Sequence, residues 1–328
     1  MIQKILNKLQ HYAKYGSLIN SGNVSYIMIS SGSYRTYEKG RIVFLILAEE
    51  IPILVVKFYK SSDELLLNEF ETQKTIYEKY ATGISKPMEI LQIEDRKIMI
   101  EEFIPGKSIA RHFSDDPSKW SIQNIMKQTL DFYHNLNNNV EPSTLDKLEN
   151  EVNLLVEQFI KLYAPDSKEI AFIQDLVSSF LQNFSSREIY RRFTNGDFIP
   201  KNLIINHDKV TMIDYEFAEI THLYFLDWFR FFNYQQFIPN DLVYDLVYFQ
   251  TEDEFFKTSL REFSSYRINN KFDLSLRLLF EIKNCVMVMN VISHSLYSVE
   301  KKRVKKLLSE MYIRLRDLDP AITVKKFE

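Results

Sequence analysis

The stretch Phe193–Asp227, FTNGDFIPKNLIINHDKVTMIDYEFAEITHLYFLD, decides how the rest of this 328-residue chain is read. Two short apolar runs, Asn202–Asn206 and Val210–Ile213, flank the polar turn His207-Asp208-Lys209, which is the pattern of a β-hairpin. Asp197 precedes Asn202 by 5 residues, and Asp214 follows it by 12. Strands that rise about 3.3 Å per residue return Asn202 and Asp214 to the same end of such a hairpin. A carboxylate, an amide oxygen and a second carboxylate then surround one point. Hard oxygens of this kind suit Mg²⁺, with one carboxylate left to orient a hydroxyl.

Composition narrows the function classes. With 45% hydrophobic and 26% charged residues the chain is globular rather than disordered, and long enough for one large or two modest domains. A net charge of −3 gives no basic footprint for nucleic acid. The single cysteine, Cys285, excludes an intramolecular disulfide and a cysteine-based zinc site. The amino-terminal MIQKILNKLQ is amphipathic and lacks the apolar core of a signal peptide. The longest apolar stretch, Leu276–Ser293, is interrupted by Arg277, Glu281 and Lys283, so no membrane span is expected. A soluble, cytoplasmic protein follows as the expectation.

The Asp-x-x-x-x-Asn spacing, followed by a strand and a second Asp, resembles the catalytic loop of protein-kinase-like folds. The wording Asn-Gly-Asp-Phe-Ile-Pro-Lys-Asn-Leu-Ile-Ile, then Ile-Asp-Tyr-Glu-Phe-Ala, more closely resembles the aminoglycoside phosphotransferase and choline kinase superfamily. That superfamily usually has His-Gly-Asp or His-Asn-Asp in the loop, and this chain departs from it at Asn195. An amide also donates and accepts hydrogen bonds, so a structural adjustment rather than loss of activity is expected there. The resemblance implies an α+β, bilobal, protein-kinase-like fold. Its smaller, antiparallel-sheet N-lobe would take residues 1–103, and its larger, mainly helical C-lobe residues 104–328. It further implies ATP and Mg²⁺ as cofactors, Asp197 as the catalytic base, and Asn202 and Asp214 as metal ligands. Glu216 follows Asp214 by two residues and points to the same side of an extended chain, as a substrate or supporting group. Asp227 matches an Asp that anchors the family's catalytic loop, and Trp228 beside it is a further candidate.

The rest of the chain supplies partners for this stretch. Residues 2–16 read as a short amphipathic helix, and Val24–Ser30, Arg41–Leu47 and Ile53–Tyr59 as three antiparallel strands. The first connection contains Ser31, Gly32 and Ser33, where kinase-like folds close a turn over the nucleotide phosphates. Lys57 in the third strand would by itself read as solvent-facing. Its place in the meander, before an acidic helix over Asp63–Tyr80, resembles the phosphate-holding lysine of kinases. Glu69, 12 residues after Lys57, fits the position that pairs with it. Glu71 is the rival, about 200° away around a helix, so only one of the two can face the strand.

Met88–Gln92 and Lys97–Glu101 form a second strand pair, and Glu101, Glu102, Phe103 and Ile104 resemble the family's adenine-contacting hinge. From Ser121 the periodicity is helical, with runs over Ser121–Asn137, Leu145–Tyr163, Ser167–Phe184, Leu242–Phe263, Leu274–Ser298 and Lys301–Leu318. The aromatic run Phe225, Trp228, Phe229, Phe231 and Phe232 reads mainly as helix core, although an aromatic box beside carboxylates would also suit a quaternary ammonium.

These readings favour a kinase of a small hydroxylated molecule: an amino alcohol, an aminoglycoside or a sugar. A protein kinase is disfavoured because the Asp-Phe-Gly to Ala-Pro-Glu segment is absent. A catalytically silent nucleotide-binding or scaffold protein is the alternative, motivated by Asn195 and the glycine-poor loop. The acceptor and the oligomeric state are not encoded in any of these motifs.

Overall fold

The computed structural model describes residues 2–12, 14–16, 23–30, 40–61, 63–80, 83–137, 140–185, 188–233, 271–292 and 296–318. In chain order these form α1 (Ile2–His11), β1 (Val24–Ser30), β2 (Arg41–Ala48), β3 (Ile51–Tyr59), α2 (Asp63–Tyr80), β4 (Pro87–Ile93) and β5 (Arg96–Glu102). Next come β6 (Lys107–Ser108), α3 (Ile109–Asp115), α4 (Lys119–Asn137), β7 (Glu141–Ser143), α5 (Leu145–Tyr163), α6 (Ser167–Gln182) and β8 (Ile189–Thr194). Then follow β9 (Leu203–Asn206), β10 (Lys209–Met212), β11 (Glu219–Thr221), α7 (Leu226–Asn233), α8 (Lys271–Val291) and α9 (Tyr297–Leu318). The fold is mixed α+β, with an antiparallel-sheet N-terminal region and a helical C-terminal part. Among the described residues no helix is long and apolar enough to cross a membrane.

The chain divides into two compact units: Met1–Asp115 with Asn195–Glu219, and Asp116–Thr194 with Ile220–Glu328. In the first unit, five antiparallel strands run in the order β1-β2-β3-β5-β4. The turn between β2 and β3 is Glu49-Glu50, both at positive φ (50° and 67°). Such two-residue turns match the twist of the strands they join, and a one-residue shift at Ile46/Leu47 then sets the register of the rest of the pair. Alternation then sorts the side chains. Phe44, Ile46, Leu54, Val56, Phe58, Ile98 and Ile100 bury one face under Ile5, Leu6 and Leu9 of α1. Residues of opposite parity, Lys57, Tyr59, Met99 and Glu101, turn to the face covered by α2, where Leu66 packs on Tyr59 and Met99. A buried charged residue in a strand therefore shares its face with α2.

The expected hairpin is present as β9 and β10, paired Leu203↔Met212 through Asn206↔Lys209. Its turn residue His207 has φ 53°. Two backbone hydrogen bonds join the hairpin to the 83–85 segment, which two side-chain bonds tie to α2. The Gly83 carbonyl accepts from Met212 N–H (2.8 Å), the Ser85 N–H donates to Met212 O (3.3 Å), and Gln73 of α2 donates to Ser85 O (2.9 Å) and Oγ (2.8 Å). Strand β6 pairs with β9 on the other side of the hairpin.

The second unit is built on aromatic and aliphatic helix faces. Phe180 of α6 stacks on Phe272 of α8 and meets Phe225 at 6.3 Å between ring centroids. Trp228 of α7 is fully buried, edge-on to Tyr133 of α4 and to Phe231. The capping box Asp166/Glu169 starts α6, and Ala164 at φ 48° ends α5. His222 lies 2.8 Å from Ser143 Oγ and 2.5 Å from Glu151 Oε2, tying β7 and α5 to the chain after β11. The short elements β6, β7, β8, β11 and α3 were not anticipated in the sequence, because two- to seven-residue elements are too short to display a period. The helix expected over Leu242–Phe263 lies outside the described residues.

Gly106 has φ +129°, and a Cβ there would lie 2.3 Å from the carbonyl oxygen of Ile205. Strain and overlap act together, so Gly106→Ala is expected to destabilise the protein by at least about 2 kcal/mol in urea unfolding. An unchanged midpoint would contradict the close approach of this turn to β9.

Candidate active site

The face of the sheet beneath α2 gathers charge that its surroundings desolvate. Lys57 is only 4% exposed, and its Nζ donates to Glu69 Oε1 at 2.8 Å while also pairing with Glu101. Register explains the arrangement: Lys57 faces Met99 across β3 and β5, and Glu101 lies two residues on, on the same face. Glu69 is 1% exposed on α2, whereas Glu71 points to solvent. The helix thus selects Glu69 over its rival. Tyr59, two residues beyond Lys57, donates from its hydroxyl to Glu69 Oε2 at 2.8 Å.

Arg41 is the cation that sequence reasoning missed. It opens β2 opposite Tyr59, so cross-strand pairing puts it on the same face as Lys57. Its guanidinium pairs with Asp214, lies 3.4 Å from Glu69 Oε1 and reaches Glu216 Oε2 at 3.5 Å. Parity places Arg41, Lys57 and Tyr59 on one face, but only after the one-residue register shift at Ile46/Leu47; the Glu49-Glu50 turn alone would set Arg41 opposite Phe58.

The catalytic-loop candidates belong to the same unit. Asn202 Nδ2 donates to Asp197 O (2.9 Å) and Asp197 Oδ2 (3.0 Å), and the Asn202 carbonyl accepts from Ile213 N–H (2.9 Å). Asn195, fully buried, donates from Nδ2 to Asp214 O at 2.8 Å. The Asn195 amide therefore holds the backbone of Asp214. Asp214 itself has φ 69°, a left-handed conformation that non-glycine residues adopt at a cost. Gly196, at φ +72°, lets the loop pass close to Phe217, whose carbonyl oxygen would be 2.3 Å from an added Cβ.

Electrostatics follow from four carboxylates, Glu69, Glu101, Asp214 and Glu216, sharing two cations, Arg41 and Lys57. Burial opposes the charge on Lys57, yet Glu101 and Glu69 outweigh it and raise its pKa. Burial likewise opposes Arg41, and Asp214, Glu69 and Glu216 overcome it. Asp214 is lowered despite burial, because Arg41 and then Lys57 stabilise its anion. Glu101 is raised, first by burial, against the pull of Lys57. Burial pushes Glu216 up to about 7, with Arg41 opposing and Asp214 adding to the rise.

A divalent cation fits this donor set. Asp214 has a carboxylate, and Asn202, whose Nδ2 donates to Asp197, has an amide oxygen, both hard donors of the kind Mg²⁺ takes. Among the described residues no three His, Cys, Asp or Glu side chains form a self-contained metal site. Mg²⁺ commonly takes one or two protein ligands and completes its shell with nucleotide phosphates and water.

The other candidates fall elsewhere. Glu102 is exposed where β5 ends, and Phe103 and Ile104 are half-buried just beyond it. Asp227 (2% exposed) and Trp228 belong to the second unit. Ser31, Gly32 and Ser33 lie outside the described residues.

No protein-family model matches the sequence, and no curated protein matches it significantly. Its fold, however, is similar to solved structures. A thermostable mutant of aminoglycoside phosphotransferase APH(4)-Ia aligns with a TM-score of 0.60 at 12% identity, over 93% of this chain and 99% of that one. A choline/ethanolamine kinase family protein from Mesorhizobium loti aligns at 0.52 and 12% identity, over 98% and 99%. An aminoglycoside-3'-phosphotransferase of type VIII aligns at 0.50 and 12% identity, over 82% and 97%. The chain thus has the kinase-like fold of these proteins.

The charge balance sets an asymmetry. Lys57→Met leaves Glu69 and Glu101 buried beside one remaining cation and is expected to cost about 3 kcal/mol in denaturant unfolding. Glu101→Gln removes a surplus negative charge and is expected to change stability by no more than about 1 kcal/mol. The reverse order would contradict the charge assignment.

Proposed function

We propose that this chain, which has that kinase-like fold, transfers the γ-phosphoryl group of ATP to a hydroxyl of a small molecule. One observation carries the reading above the others: the buried Lys57–Glu69 pair at 2.8 Å shares its compact unit with Asp197, Asn202 and Asp214 at their expected spacings. A surface-facing lysine would have argued for a plain structural strand. A buried one held between two carboxylates is a fixed cation, which is what α- and β-phosphates require.

In this reading Lys57 holds those phosphates and Glu69 holds Lys57. Asp214 and Asn202 would ligate Mg²⁺, which when bound neutralises developing charge on the phosphoryl oxygens. Asp197 accepts or orients the proton of the acceptor hydroxyl, and Asn202 holds its carboxylate through the 3.0 Å hydrogen bond. Phosphoryl transfer through a loose transition state asks little more than such positioning and neutralisation. The hinge from Glu101 to Ile104 would meet the adenine through its backbone. The acceptor is an amino alcohol, an aminoglycoside or a sugar, and the helical region after the hinge would supply its pocket.

Labelled ATP incubated with Mg²⁺ and a pool of small hydroxylated metabolites tests this reading and reports the acceptor. Label is expected in an organic acceptor. Asp197→Asn is expected to lower kcat by about 10²–10⁴-fold with nucleotide affinity retained. An Asp197→Asn variant with full turnover would overturn the assigned base, and tight ATP binding with no transfer to any acceptor would favour a silent nucleotide-binding protein.

A further inference from the structure

We infer that Arg41 competes with the divalent cation for Asp214, so that metal binds together with nucleotide rather than alone. The inference rests on the phosphotransferase reading but goes beyond its usual residues. Asp214 is the carboxylate this reading assigns to the metal, and the Arg41 guanidinium pairs with it. Arg41 is held in place by several independent features. Its side chain is 11% exposed, Glu69 and Glu216 lie 3.4 and 3.5 Å from its Nη1, and Gly40 beside it accepts from Lys60 N–H at 2.7 Å. A metal arriving alone must displace a guanidinium from its carboxylate and leave that guanidinium with Glu69 and Glu216 only. Those two already share Lys57 or lie in a crowded anionic cluster. A nucleotide changes the exchange, because its phosphates give the displaced guanidinium a bidentate anionic partner. Arg41 thereby links two binding events, and that linkage is reciprocal.

Mn²⁺ serves as the probe, titrated with and without a non-hydrolysable β,γ-imido analogue of ATP and followed by electron paramagnetic resonance. In the wild type, the analogue is expected to tighten Mn²⁺ binding. In Arg41→Met, Mn²⁺ alone is expected to bind about tenfold more tightly, and the analogue's effect on the metal to shrink by a similar factor. A merely structural role for Arg41 would not tighten metal binding. Circular dichroism establishes that the variant is folded. If Arg41→Met fails to fold, Arg41→Lys keeps the charge on a shorter, single-point donor, and a smaller tightening in the same direction is expected. Unchanged Mn²⁺ affinity in a folded variant of a wild type that does bind the metal–analogue complex overturns the exchange alone. A wild type that binds no metal–analogue complex overturns the phosphotransferase reading as well.

Discussion

The buried ammonium of Lys57, shared between Glu69 and Glu101, constrains more of this structure than any other contact. Isolating that charge from water would be costly, and only close carboxylates offset the cost. Both carboxylates must therefore arrive by register rather than by chance. Glu69 comes from the second of the buried positions of α2, after Leu66, and Glu101 from the strand next to β3. Helix and sheet are locked together by a charged contact set within an apolar one of Tyr59, Leu66 and Met99. A one-residue slip in β3 would move Lys57 into the face covered by α1, against the apolar cluster of Ile5, Leu6, Leu9, Phe44 and Ile98.

The same constraint creates an imbalance. Adding Asp214 and Glu216 to the pair, and Arg41 to the lysine, leaves more carboxyl groups than cations. Stability alone would favour neutral, well-packed residues there. Retaining the charges makes sense for a site that receives a cation and phosphates, and the left-handed backbone of Asp214 adds local strain in the same place. The hydrogen bonds from Gln73 through Ser85 to Met212 carry the position of α2 to the end of β10, one residue short of Ile213 and two short of Asp214.

Much of this was legible in the sequence because it is local. The spacings of Asp197, Asn202 and Asp214 belong to one hairpin, and the Lys57-to-Glu69 interval spans one strand, one turn and one helix. Helical geometry allowed only one of Glu69 and Glu71 to face the strand, and the resemblance to the kinase position favoured Glu69. Arg41 and Tyr59 were not found, since they reach the site through a cross-strand register set by two consecutive glutamates at positive φ and then by a one-residue shift at Ile46/Leu47. Nothing in the composition of Glu49-Glu50 announces such a turn, for glycine or asparagine is the usual occupant. The side chain of Glu101 was likewise read as part of a hinge, and its turn toward Lys57 depends on strand parity. Trp228 sits in the aromatic core, in keeping with the helical spacing of its neighbours. The acceptor stays unread for a physical reason: its contacts are set by side-chain shapes drawn from several helices, and no interval along the chain encodes them.

Calorimetric titration with ATP, in the presence of Mg²⁺ and then in excess chelator, tests most directly whether this charged face is a metal–nucleotide site. Saturable binding with Mg²⁺ is expected, weakened at least about tenfold when the metal is removed, because uncompensated phosphates would meet a surplus of buried carboxylates. Equal ATP affinity without any divalent cation, or no ATP binding in either condition, would contradict it.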